Sequence, residues 1–301
     1  MSLGLNLSFC VKRWVTPALW APLVASLGVR RVQLTYDLVD PLWPDDLLDD
    51  LARAVRDEAG ARGIEVHSAF IGLAHYTYNQ LLHPEPRVRD AAERWMARAY
   101  RFAARAGIAG VGGPVGAMAA APDGREPEAV GERDYADLVR RLRRLAEIAS
   151  AEGLTELYAE PTPLRREWPF SIAQAERLSA DLAGSAVPWR YCLDWGHATM
   201  APAYGERDAS LEPWLTRLKE HVGVIHLQQT DGILDRHWDF TEAGIVDPME
   251  AARLHERAGL ADVPVFLEVF YPFEMTDAEV LDRIRRTCAI LEPAFPSAAP
   301  R

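Results

Sequence analysis

The chain has 301 residues, 49% hydrophobic and 26% charged, enough for a large core and a solvated surface. Its formal net charge of −11 repels nucleic-acid phosphates and anionic lipid, though not a small anion held in a locally positive pocket. No run approaches the roughly 18 apolar residues of a membrane helix; residues 1–6 carry no basic stretch before an apolar one, so no export signal is expected; and Cys10, Cys192 and Cys288 show neither metal spacing nor a disulfide framework, as expected in a reducing cytoplasm.

Short runs rich in β-branched and apolar residues alternate with longer amphipathic stretches. The predicted strands are 5–9, 29–36, 65–71, 110–115, 156–160, 190–194, 222–228 and 264–270. The predicted helices are 17–27, 45–61, 86–106, 132–152, 171–182, 211–221, 248–258 and 277–291. Thr16-Pro17, Ser171 and Asp247-Pro248 are good helix starts, and Gly28, Gly63, Gly107, Gly153 and Gly259 punctuate helix ends. Eight βα units in series predict an α/β fold of the (β/α)₈ barrel type, one domain over 1–292, with 293–301 as a flexible tail. An open doubly wound sheet would want a phosphate-binding glycine turn after its first strand. Ser8-Phe9-Cys10-Val11-Lys12-Arg13 has none, and Gly110-Val111-Gly112-Gly113 runs into Pro114 rather than a helix.

Barrel active sites are built where inward-facing residues meet at the C-terminal ends of the strands. Four consecutive predicted strands end on or near a metal-capable side chain: Glu160, Asp194, His226 and Glu268, each interrupting an apolar run. A single strand-end acid is as often a salt-bridge partner or a cap. Four at one end are another matter: three carboxylates and an imidazole brought together repel one another unless a cation pairs them. Hard oxygen ligands with one imidazole suit one divalent ion such as Mn²⁺, Mg²⁺ or Co²⁺ better than a thiolate-type zinc site.

The chain resembles the xylose-isomerase-like barrels, in particular the sugar (phosphate) isomerase/epimerase group that includes the ketose 3-epimerases. The likeness spans nearly the whole βα order. It is most specific in Glu160-Pro161, Asp194-Trp195-Gly196-His197, Ile225-His226-Leu227 and Leu267-Glu268. It implies that Glu160, Asp194, His226 and Glu268 are the metal ligands, that Glu160 and Glu268 are also the catalytic acid/base pair, and that His197 bonds a substrate oxygen. The chain departs from the group after the metal histidine. Gln228-Gln229-Thr230-Asp231-Gly232 stands where the ketose 3-epimerases carry an arginine. Loops 75–79 and 270–273 are similar to those of the tetrulose-phosphate epimerases of erythritol breakdown, which makes erythrulose phosphate one expected substrate.

The residues suit that chemistry. A carbon-bound proton beside a carbonyl becomes removable when a Lewis acid stabilises the enediolate, and two carboxylates can take and return it. Opposite faces give C3 epimerisation; a C1–C2 transfer gives aldose–ketose isomerisation. His67, Gln228 and Asp231 are further candidates for substrate contact, with Asp231 alternatively orienting His226. A substrate phosphate would need cations, and Lys12, Arg13, Arg165, Arg166 and Arg236-His237 lie in expected mouth loops, where basic residues are more often merely solvated. Trp14, Trp195, Trp238 and Phe270 are candidate pocket walls or contacts in a homodimer or homotetramer. Three other readings compete. A DNA-repair phosphodiesterase would want several zincs and a basic groove. A metal-dependent polyol-ketone dehydratase could use the same ligands. A non-catalytic sugar-binding barrel would not need two carboxylates on the metal.

Overall fold

The computed structural model describes residues 2–125, 127, 130–205 and 209–296. Eight parallel strands close into a barrel in sequence order: β1 (Leu3–Asn6), β2 (Arg31–Thr35), β3 (Glu65–Phe70), β4 (Gly110–Gly113), β5 (Glu156–Ala159), β6 (Trp189–Asp194), β7 (Val222–Leu227) and β8 (Val265–Leu267). Around and above them lie α1 (Pro17–Ser26), α2 (Asp45–Gly60), α3 (Leu73–Tyr76), α4 (Pro86–Arg105), α5 (Glu132–Glu152), α6 (Ile172–Asp181), α7 (Trp195–Ala198), α8 (Ala201–Tyr204), α9 (Glu212–Arg217), α10 (Pro248–Arg257) and α11 (Asp277–Leu291). The expected (β/α)₈ barrel is therefore the fold. No described helix is long and apolar enough to cross a membrane.

Local sequence sets the helix ends. Ser171 and Gln174 form a reciprocal capping box on α6, as Thr276 and Glu279 do on α11. Gly153 ends α5 in the left-handed region at φ 91°. Thr16 departs from expectation: its side chain makes no capping bond, and Pro17 alone marks the start of α1.

The barrel interior explains the height of the site. Phe70, Tyr158, Cys192, Val224 and Phe266 form a closed apolar plug. β4 is glycine-rich because Tyr158 fills its space; a Cβ at Gly110 or Gly112 would overlap that side chain. Strand side chains repeat every two residues. One step above Tyr158, Cys192, Val224 and Phe266 therefore come Glu160, Asp194, His226 and Glu268. Register agrees, with Asp194 opposite His226 across β6 and β7.

Two expectations are corrected, and three short helices add to the predicted elements. β1 ends at Asn6 rather than 9, because the Asn6 side chain accepts from Ser8 N (2.9 Å) and turns residues Leu7–Cys10 into a 3₁₀ helix. The short helices α3, α7 and α8 were not expected at all; they are single turns inside loops. The flexible tail does not begin at 293: Phe295 is fully buried and Leu3 N donates to Pro296 O (3.3 Å), while 297–301 lie outside the described residues.

Candidate active site at the barrel mouth

One ligand atom from each of Glu160, Asp194, His226 and Glu268 lies within 4.8 Å of every other; Glu160, Asp194 and His226 are buried and Glu268 is partly buried. His226 Nδ1 stands 2.8 Å from Glu268 Oε2 and 3.3 Å from Glu160 Oε1.

The protons on His226 are fixed from behind. Its Nε2 lies 2.7 Å from Gln33 Oε1, an acceptor only, so Nε2 carries the hydrogen. Asn6 Nδ2 donates to the same oxygen (2.7 Å) and to Glu268 Oε1 (2.9 Å), while Gln33 Nε2 donates to Ser68 Oγ (3.1 Å). Nδ1 is left facing two carboxylates, so it must carry a proton or share a cation with them. Asp194 is held the same way: Oδ1 accepts from His197 N and Gln228 Nε2, both at 2.9 Å. A Cβ at Gly196 would overlap the Gln228 amide, which is why glycine stands there.

Asp194 Oδ2 is consequently buried without a hydrogen-bond partner, and His226 Nδ1 is buried with only carboxylate oxygens before it. Leaving such an atom unpaired costs about 1–3 kcal/mol, more beside like charge. Burial opposes charge on His226, yet Cys192 and the Glu268 and Glu160 carboxylates outweigh it and push its pKa above that of free imidazole. The pocket calls for positive charge at one point. Three carboxylates and an imidazole nitrogen fit a divalent cation there.

A second group stands beside the first. One ligand atom each of His197, Asp235 and His237 meet within 4.8 Å. His197 Nδ1 faces Pro161 O (3.1 Å) and His237 Nδ1 faces Glu268 O (3.4 Å). Both rings therefore commit Nδ1–H to carbonyls and turn Nε2 toward Asp235 Oδ2, at 3.2 and 3.1 Å. Burial disfavours the imidazolium, but Asp235 outweighs it: His197 is driven well above its ordinary value and His237 to about 9. Two protons, or a second cation, satisfy this geometry equally. Either puts positive charge on the wall.

The mouth encloses a cavity of about 300 Å³, lined among others by Glu160, Glu268, His197, His237, Arg236 and Phe270. Behind its Thr162 and Tyr76 stands Glu167, which accepts from Tyr76 Oη (2.9 Å) and from Thr162 Oγ1. Burial raises the Glu167 pKa despite those two donors.

The other sequence candidates fall into place unevenly. Arg236 lines the cavity, its guanidinium 5.0 Å over Trp238 and 2.7 Å from Asp231. Asp231 is not against His226; it caps the turn at Ile233 and Leu234 and pairs with Arg236. Gln228 is fully buried and its amide is spent on Asp194, Asp235 and His237 N, so it positions the site rather than facing the cavity. His67 is the third residue of β3 and packs on Phe266, 5.4 Å away, toward the opposite end of the barrel. Arg166 sits in the loop after β5, its carbonyl accepting from Met118 N. Lys12 lies over Phe273 and Arg13 pairs with Asp277, while Trp195 donates to His255, away from the cavity. Reading the sequence missed Asn6, Gln33, Glu167 and Asp235. Asn6 and Gln33 did carry a signal, as polar residues inside apolar strands.

These features define a parallel (β/α)₈ barrel with an acid–imidazole cluster at its C-terminal mouth. The chain belongs to the xylose isomerase-like TIM barrel family, whose profile matches residues 21–287. It is 25% identical over 319 residues to the D-erythrulose 1-phosphate 3-epimerase of Brucella abortus (strain 2308), covering 99% of this chain and 98% of that one. Among solved structures it is similar to a candidate xylose isomerase from Rhodospirillum rubrum (39% identity, TM-score 0.92, 98% of this chain and 100% of that one). It shares its fold with the D-psicose 3-epimerase of Clostridium cellulolyticum H10 (14% identity, TM-score 0.72, 99% and 100%).

Proposed function

We propose that this protein is an isomerase that epimerises a small ketose or ketose phosphate at C3. The observation that carries the reading is the convergence of Glu160, Asp194, His226 Nδ1 and Glu268 on one point, with Asp194 Oδ2 buried there and unpartnered. Glu160, Asp194, His226 and Glu268 would hold one divalent ion. Bound there, it supplies Lewis-acid polarisation of the substrate carbonyl and neighbouring hydroxyl.

The chain's own groups do the rest. One of Glu160 and Glu268 takes the proton from C3, and the other returns a proton to the opposite face. Asn6 Nδ2 on Glu268 Oε1 orients one carboxylate oxygen and leaves Oε2 for the chemistry. His197 lines the cavity with both ring nitrogens engaged, by Pro161 O and Asp235, so a substrate oxygen would bond it by displacing Asp235. Phe270 and Ile71 exclude water from one wall. Arg236, a cation on the cavity, supports a phosphorylated substrate, as does the likeness to an epimerase of D-erythrulose 1-phosphate.

Aldose–ketose isomerisation is the second reading, favoured by the likeness to the Rhodospirillum rubrum protein. It would use the same carboxylates with proton transfer between C1 and C2. Incubation with tetruloses, pentuloses and their phosphates in D₂O, read by NMR, separates the two. Deuterium at C3 with formation of the epimer is expected. Exchange at C1 alone would replace epimerisation by isomerisation, and no exchange on any of them would reject both.

A further inference from the structure

A second cavity, of about 470 Å³, lies behind the mouth, between α3, α4 and the loop after β2. Its volume is in the range of small-molecule sites. Trp95 forms the floor, with the His75 ring stacked on it at 3.8 Å and 6°. Trp43 and Tyr78 form an aromatic rim, and Asp37 and Asp40 supply carboxylates. No Lys or Arg is among the described residues lining it.

Two polar atoms there are unspent. Gln80 is 1% exposed and its Oε1 has no hydrogen-bond partner, its Nε2 being bonded to His75 O (3.3 Å); His75 Nε2 is likewise buried and unpartnered. Gln80 holds this place with a backbone φ of 49°, unusual for a residue with a side chain. Unsatisfied buried acceptors favour an occupant that brings donors. Aromatic faces with carboxylates and no competing cation favour one that is positive and planar.

We propose that this cavity is a ligand site for a small, planar organic cation bearing N–H donors, of the amidinium or guanidinium type. The ring would lie between Trp43 and Tyr78 with its N–H groups on Asp40, and Gln80 Oε1, closed off just behind the lining, would accept from it once the Gln80 side chain turns outward. Asp40 Oδ1 accepts from Leu42 N (2.9 Å), so the carboxylate is fixed in place for it. The site bears on the mouth through α3. This single turn gives His75 to the second cavity and, from the next residue, Tyr76 to Glu167 (2.9 Å) behind the first. Asp37 ties the turn down by accepting from Leu73 N (2.9 Å) and Ala74 N (2.8 Å).

The test needs no catalytic assay, so it stands or falls apart from the proposed function. Benzamidine and phenylguanidine are titrated calorimetrically into the full-length protein, with benzamide as the neutral isostere and the oligomeric state followed by light scattering. Expected are sub-millimolar binding of the cations, at least tenfold weaker binding of benzamide, and at least tenfold losses in Asp40→Asn and in Trp43→Ala. Glu268→Gln should bind benzamidine unchanged, and benzamidine should increase hydrogen-exchange protection of residues 73–78. Equal binding of benzamide, undiminished binding in both Asp40→Asn and Trp43→Ala, or absence of binding would overturn the proposal. Absence of binding together with self-association through this face would identify a second copy of the chain as the occupant instead.

Discussion

Replacing Gln33 by Leu removes the acceptor that fixes the His226 ring. Gln33 is fully buried, and its Oε1 is 2.7 Å from His226 Nε2. Its other partners keep alternatives: Asn6 retains Glu268 Oε1, and Ser68 Oγ retains His67 Nδ1 (3.1 Å). The loss therefore falls on the His226 N–H, a buried donor left unpaired, at about 1–3 kcal/mol of stability. For a chain of this size that lowers the melting temperature by roughly 2–4 °C per kcal/mol. The second loss is orientation. Without its anchor the ring loses the bond that fixes Nδ1 toward Glu160 and Glu268; changes of this kind behind a metal ligand weaken metal binding about 10–100-fold. Calorimetric titration of chelator-stripped protein with Mn²⁺ or Co²⁺ reads this directly, and Gln33→Glu, which keeps an acceptor, should stay near the parent. A folded Gln33→Leu protein with undiminished metal affinity would refute the reasoning.

Other predictions concern the proton, the phosphate and acid stability. Glu160→Gln and Glu268→Gln should each cut solvent-deuterium exchange by about 100-fold or more with the fold intact; near-parental exchange in either would remove that residue from the acid/base pair. Arg236→Ala should raise KM for a phosphorylated ketose about tenfold or more and leave the unphosphorylated sugar unaffected; equal effects on both would remove Arg236 from phosphate recognition. Asp239 is buried against Arg283 (2.7 and 3.0 Å) and Tyr271 Oη (2.7 Å). Burial opposes its charge, but those partners outweigh it and hold its pKa below the ordinary carboxylate value. The stability it contributes is present above about pH 4, the unfolded value, and is lost as pH falls through the lower folded value. Urea melts from pH 3 to 7 should show that step in the parent and a flatter profile in Asp239→Asn, already about 3 kcal/mol less stable at neutral pH; an unchanged profile would contradict it.

The sequence carried the barrel because the longer helices after α1 are amphipathic and the strands largely apolar, so the alternation itself is the fold. Helices Glu132–Glu152 and Asp277–Leu291 match their expected spans; Gly153 ends the first and the Thr276–Glu279 capping box starts the second, both local signals. The four mouth residues were legible for a related reason: one acid in an apolar strand has structural explanations, but three acids and an imidazole at one end of four consecutive strands call for a shared cation, and period-two alternation puts them on the inner face. What was illegible depends on loop paths. Asp231 and Asp235 lie four residues apart in one polar loop, yet only Asp235 turns inward, because the antiparallel bridge Gln229–Trp238 folds that loop back over the mouth. For His67 the sequence left substrate contact and a structural role nearly even; as the third of six β3 residues it lies below the mouth, its ring against Phe266 and its Nδ1 3.1 Å from Ser68 Oγ. Gln228 shares the facing of His226, as expected, but Gly196 lets its amide close on Asp194.

The central claim is that Glu160, Asp194, His226 and Glu268 hold a divalent ion at one point. An anomalous-difference map from crystals of Mn²⁺-loaded protein tests it most directly. The expected result is a peak within bonding distance of Asp194 Oδ2, His226 Nδ1 and a carboxylate oxygen of each glutamate, lost in Asp194→Asn or sharply weakened there. Protein that exchanges substrate protons at full rate, with no peak at that point in manganese-soaked crystals, would contradict the account.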